Sequence, residues 1–357
     1  MTLHPSAVSE FLDKHLKSVF AQPTFSESMY KPICLWGEAG IGKTQLVKAL
    51  AKKNGYAFQL LSLAQIEETG DVLGLPFLDE TGAGKRTLYA KPAWVPDSTG
   101  PGILLIDDFN RADPRILHAL MELFQFYQTS SWALPEKWFI LLTANPSGKD
   151  YFVQKVDQAI LDRMLHIEVD FDLESWLHWA ESEEMDDQLL LYPILFPEQF
   201  NAAGLSPRTW TALFKQLSQQ ANQSKDYQTV LVHAVLPDTE AAFFLGYLHQ
   251  KNQPLVGLNK LAHLDQIHMD AYLEHIQEQH QQPLLLNAIG RALIRAIASK
   301  KIAWEAGQVP TTFWLSKHLP NDVRLEQLAY MRQLWAKHTN LRLEWPQVEQ
   351  KLLENWN

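Results

Sequence analysis

Cysteine is almost missing from this 357-residue chain: Cys34 is the single one. No disulfide framework can be drawn, and a reducing, cytoplasmic location is the expectation. Cys34 itself, inside the run Ile33–Trp36, reads as a small buried apolar residue. Long apolar runs are missing too, since none approaches the ~18 residues of a membrane span. The start, "MTLHPSAVSEFLDKHLKSVF", lacks the basic segment and apolar core of a secretory leader. A soluble chain without a membrane partner is therefore expected. Positive charge is in deficit, with 31 Lys and Arg against 41 Asp and Glu and a formal net charge of -10. That balance argues against a general electrostatic grip on nucleic acid or anionic lipid. The 13 histidines form no H-E-x-x-H pattern and there is no Cys cluster, so no zinc site is indicated. No Ser-His-Asp grouping, internal repeat or low-complexity tract is detectable.

What is present describes an ordinary globular protein, 46% hydrophobic and 20% charged, long enough for two or three domains or one α/β domain with an appendage. Its texture changes near residue 172. Before that point "ICLW", "AFQLLSL" (Ala57–Leu63), "ILLI" (Ile103–Ile106), "WFILLTA" (Trp138–Ala144) and "LHIEVDF" (Leu165–Phe171) read as strands separated by helical stretches. Runs that are apolar throughout suit a parallel sheet covered on both faces. After Asp172 the pattern is helical. Leu286, Ile289, Leu293 and Ile297 form one apolar stripe behind Pro283, which suits a helix start. "GLPFLDETGAGKRTLYAKPAW" reads as a β-hairpin with its tip at Thr81–Lys85. The "GAGK" in it imitates a phosphate loop, but the position that must be Gly is Asp79.

The true phosphate loop is "GEAGIGKT", which satisfies G-x-x-x-x-G-K-[ST] between a strand and a helix. Gly37, Glu38, Ala39, Gly40, Ile41, Gly42, Lys43, Thr44 and the following Gln45 are the candidate nucleotide-binding residues. The glycines let successive N–H groups turn toward phosphate oxygens, and the following helix adds its dipole. Lys43 would reach the β- and γ-phosphates of ATP, and the Thr44 hydroxyl would ligate Mg²⁺. "ILLIDDFNRAD" places two acids at the end of the third apolar run, where a neighbouring strand can approach that Mg²⁺. Asp107 would hold the metal; Asp108 would orient and help deprotonate the attacking water. Successive strand residues point to opposite sides, so both acids serve one site only if the chain leaves the sheet there. Asp113-Pro114 then caps a helix with the stripe Leu117, Leu120, Met121 and Phe124.

From Tyr30 to Leu217 the chain resembles the AAA+ ATPases, and more narrowly their MoxR-like, dynein-related branch, in which the acidic strand end commonly runs into Asn-Arg. "WALPEKWFILLTANP" resembles the stretch leading to sensor 1 and places Asn145 there. "VDQAILDRM" resembles the arginine-finger helix, with Arg163 at the finger position. "GLSPRTW" resembles the start of the sensor-2 helix, with Arg208. The resemblance implies an α/β phosphate-loop NTPase domain over residues 30–172, a helical lid over 173–250 and an all-helical extension over 251–357, after a helical lead-in over 1–29. It implies hydrolysis of ATP in a ring, a hexamer, where Arg163 completes a neighbour's site. It also implies a protein client that is remodelled, and a partner carrying a von Willebrand factor A domain. Arg111 is placed at the subunit interface, and Lys85 and Tyr89 of the hairpin as substrate contacts. Many relatives carry Glu where Asp108 stands, so a modest ATPase is expected. The alternatives from other classes are a nucleic-acid motor or restriction-type subunit, which the net acidity disfavours, and a scaffold that binds nucleotide without cleaving it. A metabolite kinase ranks below both, because it has no use for the finger and sensor-2 positions.

Overall fold

The computed structural model describes residues 2–22, 30–79, 85–146, 156–202, 204–220, 223–249, 266–280, 283–298, 314, 316 and 318–335. These residues fall into two compact units, one of residues 1–176 with 206–208, the other of 177–205 with 209–357.

In the first unit, strands β1 (Thr2–Leu3), β2 (Ile33–Trp36), β3 (Ala57–Ser62), β6 (Gly102–Asp107), β7 (Trp138–Ala144) and β8 (Leu165–Val169) form one sheet. Its order is β1-β8-β2-β7-β6-β3, and every pairing in it is parallel. All five expected strands are present, some shifted at their ends by one or two residues. Strand β2 therefore lies inside the sheet, and the loop that follows it opens between two parallel neighbours. Side chains alternate between two apolar faces. Ile33, Leu35, Ile103, Leu105, Phe139 and Leu141 pack against helices α1 (Pro5–Phe20) and α2 (Lys43–Asn54). Cys34, Leu104, Ile106, Ile140 and Leu142 pack on the opposite side with Ile116, Leu120 and Phe124. Such two-sided burial is why the strands read as unbroken apolar runs. Each fully buried Leu or Phe contributes about 1.5–3 kcal/mol through the area it removes from water.

Between β3 and β6 the chain makes a one-turn helix α3 (Gly70–Leu73) and the antiparallel pair β4 (Leu75–Asp79) and β5 (Arg86–Ala90). Of the expected hairpin tip at Thr81–Lys85, residues 81–84 lie outside the described residues. The foot of this hairpin is pinned through three successive carbonyls. Trp94 Nε1 donates to Asp71 O at 2.9 Å, Trp132 Nε1 to Val72 O at 2.9 Å, and Ser131 Oγ to Leu73 O at 2.5 Å. Gly74, at φ 93°, turns the chain from this foot into β4. Asp113 caps α4 (Pro114–Ala119), its side chain accepting from Arg115 N. The expected single helix is broken at Leu120, after which α5 (Met121–Phe126) continues it.

The second unit is helical among the described residues. Its first helices gather aromatic rings around Tyr192, whose ring centroid lies 4.8 Å from Phe244 and 5.2 Å from Trp210 and Tyr247. Helix Pro283–Ala298 buries Leu286, Ile289 and Leu293 of the expected stripe; the side chain of its fourth member, Ile297, lies outside those described. It packs on helix Asn321–Trp335 through buried Gln327, whose amide donates to Leu286 O at 3.1 Å and accepts from Trp314 Nε1 at 2.6 Å. Residues 251–265, 299–313 and 336–357 of the expected extension lie outside the described residues. No described helix is long and apolar enough to cross a membrane.

Candidate functional site

The loop Gly37–Gly42 joins β2 to α2, and its conformation explains its glycines. Gly40 and Gly42 adopt φ 86° and 97°, a left-handed backbone that costs other residues about 1–2 kcal/mol. A Cβ at Gly40 would also lie 2.9 Å from Ser206 Oγ. Lys43 opens α2 and is 7% exposed. Its ammonium donates to the carbonyls of Gly37 at 2.6 Å and Glu38 at 2.8 Å, and to Asn145 Oδ1 at 3.3 Å. Its pKa falls from 10.5 to about 8, chiefly through burial; Asp108 and Asp107 oppose the fall and the nearby Arg208 charge adds to it.

The two acids sit where β6 ends. Asp107 Oδ1 accepts from the Thr44 hydroxyl at 2.8 Å and from the Thr143 hydroxyl at 2.5 Å. Asp108 leaves the sheet in a left-handed conformation, φ 53° and ψ 42°. That turn supplies the exit the strand geometry demanded, and it bears on the choice of side chain: Asp and Asn enter this region far more readily than longer residues. The Asp108 amide donates to Thr143 Oγ1 at 2.9 Å. Its carboxylate accepts from Asn145 Nδ2 at 2.8 Å and lies 3.5 Å from the Arg111 guanidinium.

Asn145 is thus shared between a cation and an acid. Its carbonyl oxygen faces Lys43 and its amide nitrogen faces Asp108, the one orientation in which both contacts are attractive. Behind it lies Asn110, and both residues are 1% exposed. Asn110 Nδ2 donates to Asn145 O at 2.7 Å and its Oδ1 accepts from Asn145 N at 3.2 Å.

The structure therefore brings together Lys43, Thr44, Asp107, Asp108 and Asn145 at one end of the sheet. Arg208, exposed at the start of the helix Pro207–Gln219, is close enough for its charge to act on Lys43. Arg163 is engaged elsewhere: Nε donates to Gln125 Oε1 at 3.0 Å and the guanidinium also donates to Ala159 O. Tyr89 is exposed on β5, and Lys85 just precedes that strand. Sequence reasoning missed Thr143 and Asn110 as parts of the site. The register that sets Ile106 opposite Leu142 carries Thr143 beside Asp107, and a lone hydroxyl in the run "WFILLTA" was the available signal. The oxygen set of Thr44 and Asp107 fits Mg²⁺, which is held by one or two protein oxygens together with substrate phosphates rather than by a full protein cage. No cluster of three or more His, Cys, Asp or Glu exists among the described residues to hold another metal.

Residues 33–166 match the model of the ATPase family associated with various cellular activities (AAA). Midasin of Giardia intestinalis is 26% identical over 147 residues, which is 39% of this chain and only 3% of that protein. Among solved structures, a candidate ATPase of Cytophaga hutchinsonii aligns at 17% identity over 66% of this chain and 79% of its own, with a TM-score of 0.35. A point mutant of RuvB from Thermotoga maritima aligns at 15% identity over 88% of each chain, with a TM-score of 0.43.

Proposed function

We propose, for a chain whose residues 33–166 match the model of the AAA ATPase family, that ATP is bound with Mg²⁺ and cleaved at subunit interfaces of a MoxR-like ring, a hexamer, to remodel a protein client. The observation that carries the reading is the convergence of Lys43, Thr44, Asp107, Asp108 and Asn145 on the mouth of one phosphate loop. Each has a task in phosphoryl transfer, where charge spreads over the γ-oxygens and a water must be placed in line. Loop amides and the Lys43 ammonium would receive the phosphates. Thr44 and Asp107 would hold Mg²⁺, which when bound neutralises phosphate charge. Asp108, through Oδ2, would orient the attacking water and take its proton, while Asn145 keeps the other carboxylate oxygen aligned. Arg208 would add positive charge beside Lys43 and respond to the γ-phosphate. Arg163 bonds to Gln125 and Ala159 of its own chain and would exchange those contacts for the γ-phosphate of an adjoining protomer. A cytoplasmic setting and a partner with a von Willebrand factor A domain belong to the same proposal.

The test is turnover of ATP across protein concentration. Specific activity that rises as subunits assemble supports the shared site. Full activity in a chain that stays monomeric with nucleotide bound overturns it. Mixing a Lys43→Ala chain with an Arg163→Ala chain should restore part of the activity that each lacks alone. Binding without any cleavage would favour the scaffold instead.

A further inference from the structure

We propose that Asn110 is a positioning residue for ATP hydrolysis, acting by locking the backbone of Asn145 so that the Asn145 side chain spans Lys43 and Asp108. The proposal rests on the ATPase reading above and adds to it a residue that binds no nucleotide group itself.

The geometry points to Asn110 for three reasons. Both halves of its amide are used, and both on the main chain of one residue: Nδ2 to Asn145 O at 2.7 Å and Oδ1 from Asn145 N at 3.2 Å. A two-point clamp fixes rotation as well as distance, which a single hydrogen bond does not. Second, the clamp sits at the point where β7 ends at Ala144, so the ladder that holds the preceding residues no longer holds Asn145. An amide at position 110 replaces it. Third, Asn110 and Asp108 belong to one tight turn, closed by Arg111 N donating to Asp108 O at 2.9 Å. The turn that aims the Asp108 carboxylate therefore also aims the clamp on its hydrogen-bond donor. With Asn145 Nδ2 on Asp108 at 2.8 Å, residues 108, 110 and 145 close a ring of contacts between the ends of β6 and β7. Catalysis by placed groups is steep in distance, and a displacement of about 1 Å can cost on the order of a hundredfold in rate.

The full-length wild-type chain is compared with Asn110→Ala, Asn145→Ala and the double variant, using steady-state hydrolysis, nucleotide affinity and thermal unfolding. Asn110→Ala should lower kcat by about 10- to 100-fold while nucleotide Kd moves by less than about twofold, because the phosphate loop is untouched. In the Asn145→Ala background the same change should lower kcat by less than about twofold further, since the group it serves is gone. A full, multiplicative loss in that background overturns the proposal, as does a loss of affinity equal to the loss of kcat. If Asn110→Ala does not fold, Asn110→Asp carries the comparison: it keeps the acceptor and the size but removes the donor to Asn145 O, and unimpaired kcat in it overturns the proposal. Wild-type hydrolysis no faster than that of Lys43→Ala defeats the ATPase reading and this proposal with it. Wild-type hydrolysis alongside an unimpaired Asn110→Ala defeats this proposal alone.

Discussion

Nucleotide affinity should fall steeply as the solution is made alkaline, and Lys43 is the reason. Its ammonium is buried against two carbonyls and an amide, and its pKa falls from 10.5 to about 8. That fall corresponds to about 3 kcal/mol of preference for the neutral amine relative to water. Between pH about 8 and 10.5 the unfolded chain holds the Lys43 proton and the folded chain does not, so stability rises with pH through that window. Phosphates beside Lys43 reverse the preference by favouring the charged form. Binding below pH about 8 finds the proton in place; binding above it must take one up. If phosphate contact restores an ordinary lysine, raising pH from about 7 to about 9.5 should weaken Kd by about 30-fold. The assay is titration of a fluorescent nucleotide analogue at fixed ionic strength across that range. Arg208→Ala, which removes a cation that lowers this pKa, should move the midpoint upward. A Kd that stays constant to pH about 9.5 would refute the argument, because Lys43 would then be an ordinary solvated amine.

Three further outcomes follow from the same geometry. Asp108→Asn should keep stability within about 0.5 kcal/mol and nucleotide binding intact while abolishing turnover, whereas Asp108→Glu should lose about 1 kcal/mol in urea unfolding, because the longer side chain is forced into the left-handed backbone at φ 53°; equal stability of the two variants would contradict this. Gly40→Ala meets both a φ of 86° and the Ser206 hydroxyl, so it should weaken nucleotide binding and lower the unfolding free energy by about 1–2 kcal/mol, seen by calorimetry. Phe139→Ala, at the second residue of β7 and fully buried, should cost about 3–5 kcal/mol by denaturant titration, with no direct effect on the phosphate loop.

The five long strands were legible because burial on both faces leaves unbroken apolar runs, and the loop Gly37–Thr44 because its left-handed glycines cannot be replaced cheaply. Strand β1 was not, since two residues carry no period. It is recognised only by pairing, Thr2 opposite Glu168 and Leu3 opposite Val169. The exit from the sheet at Asp108 followed from strand alternation, but the left-handed turn that makes it, and with it a reason for Asp in that place, appears only in three dimensions. Asn110 stood in the quoted "DDFNR" without a role, because its partner lies 35 residues away and no local pattern marks a side chain that clamps a distant backbone. The helical half offered stripes but no chemistry. Gln327 and Gly290 show why: a glycine there is dictated by an amide that a Cβ would meet at 2.2 Å, a fit no single segment announces.

The three carbonyls at the foot of the hairpin set where that appendage is held. Two strands alone are marginal as a structure, and Leu75, Phe77, Leu78 and Tyr89 gain little from burial. Below Gly74, two indoles and a hydroxyl hold Asp71, Val72 and Leu73 to segments that lead back to the sheet. Amide exchange should therefore slow abruptly on crossing from Leu75 to Leu73. Gly74 closes that base against the returning strand, where a Cβ would lie 2.2 Å from Ala90 O, and the two tryptophans are its anchor bolts.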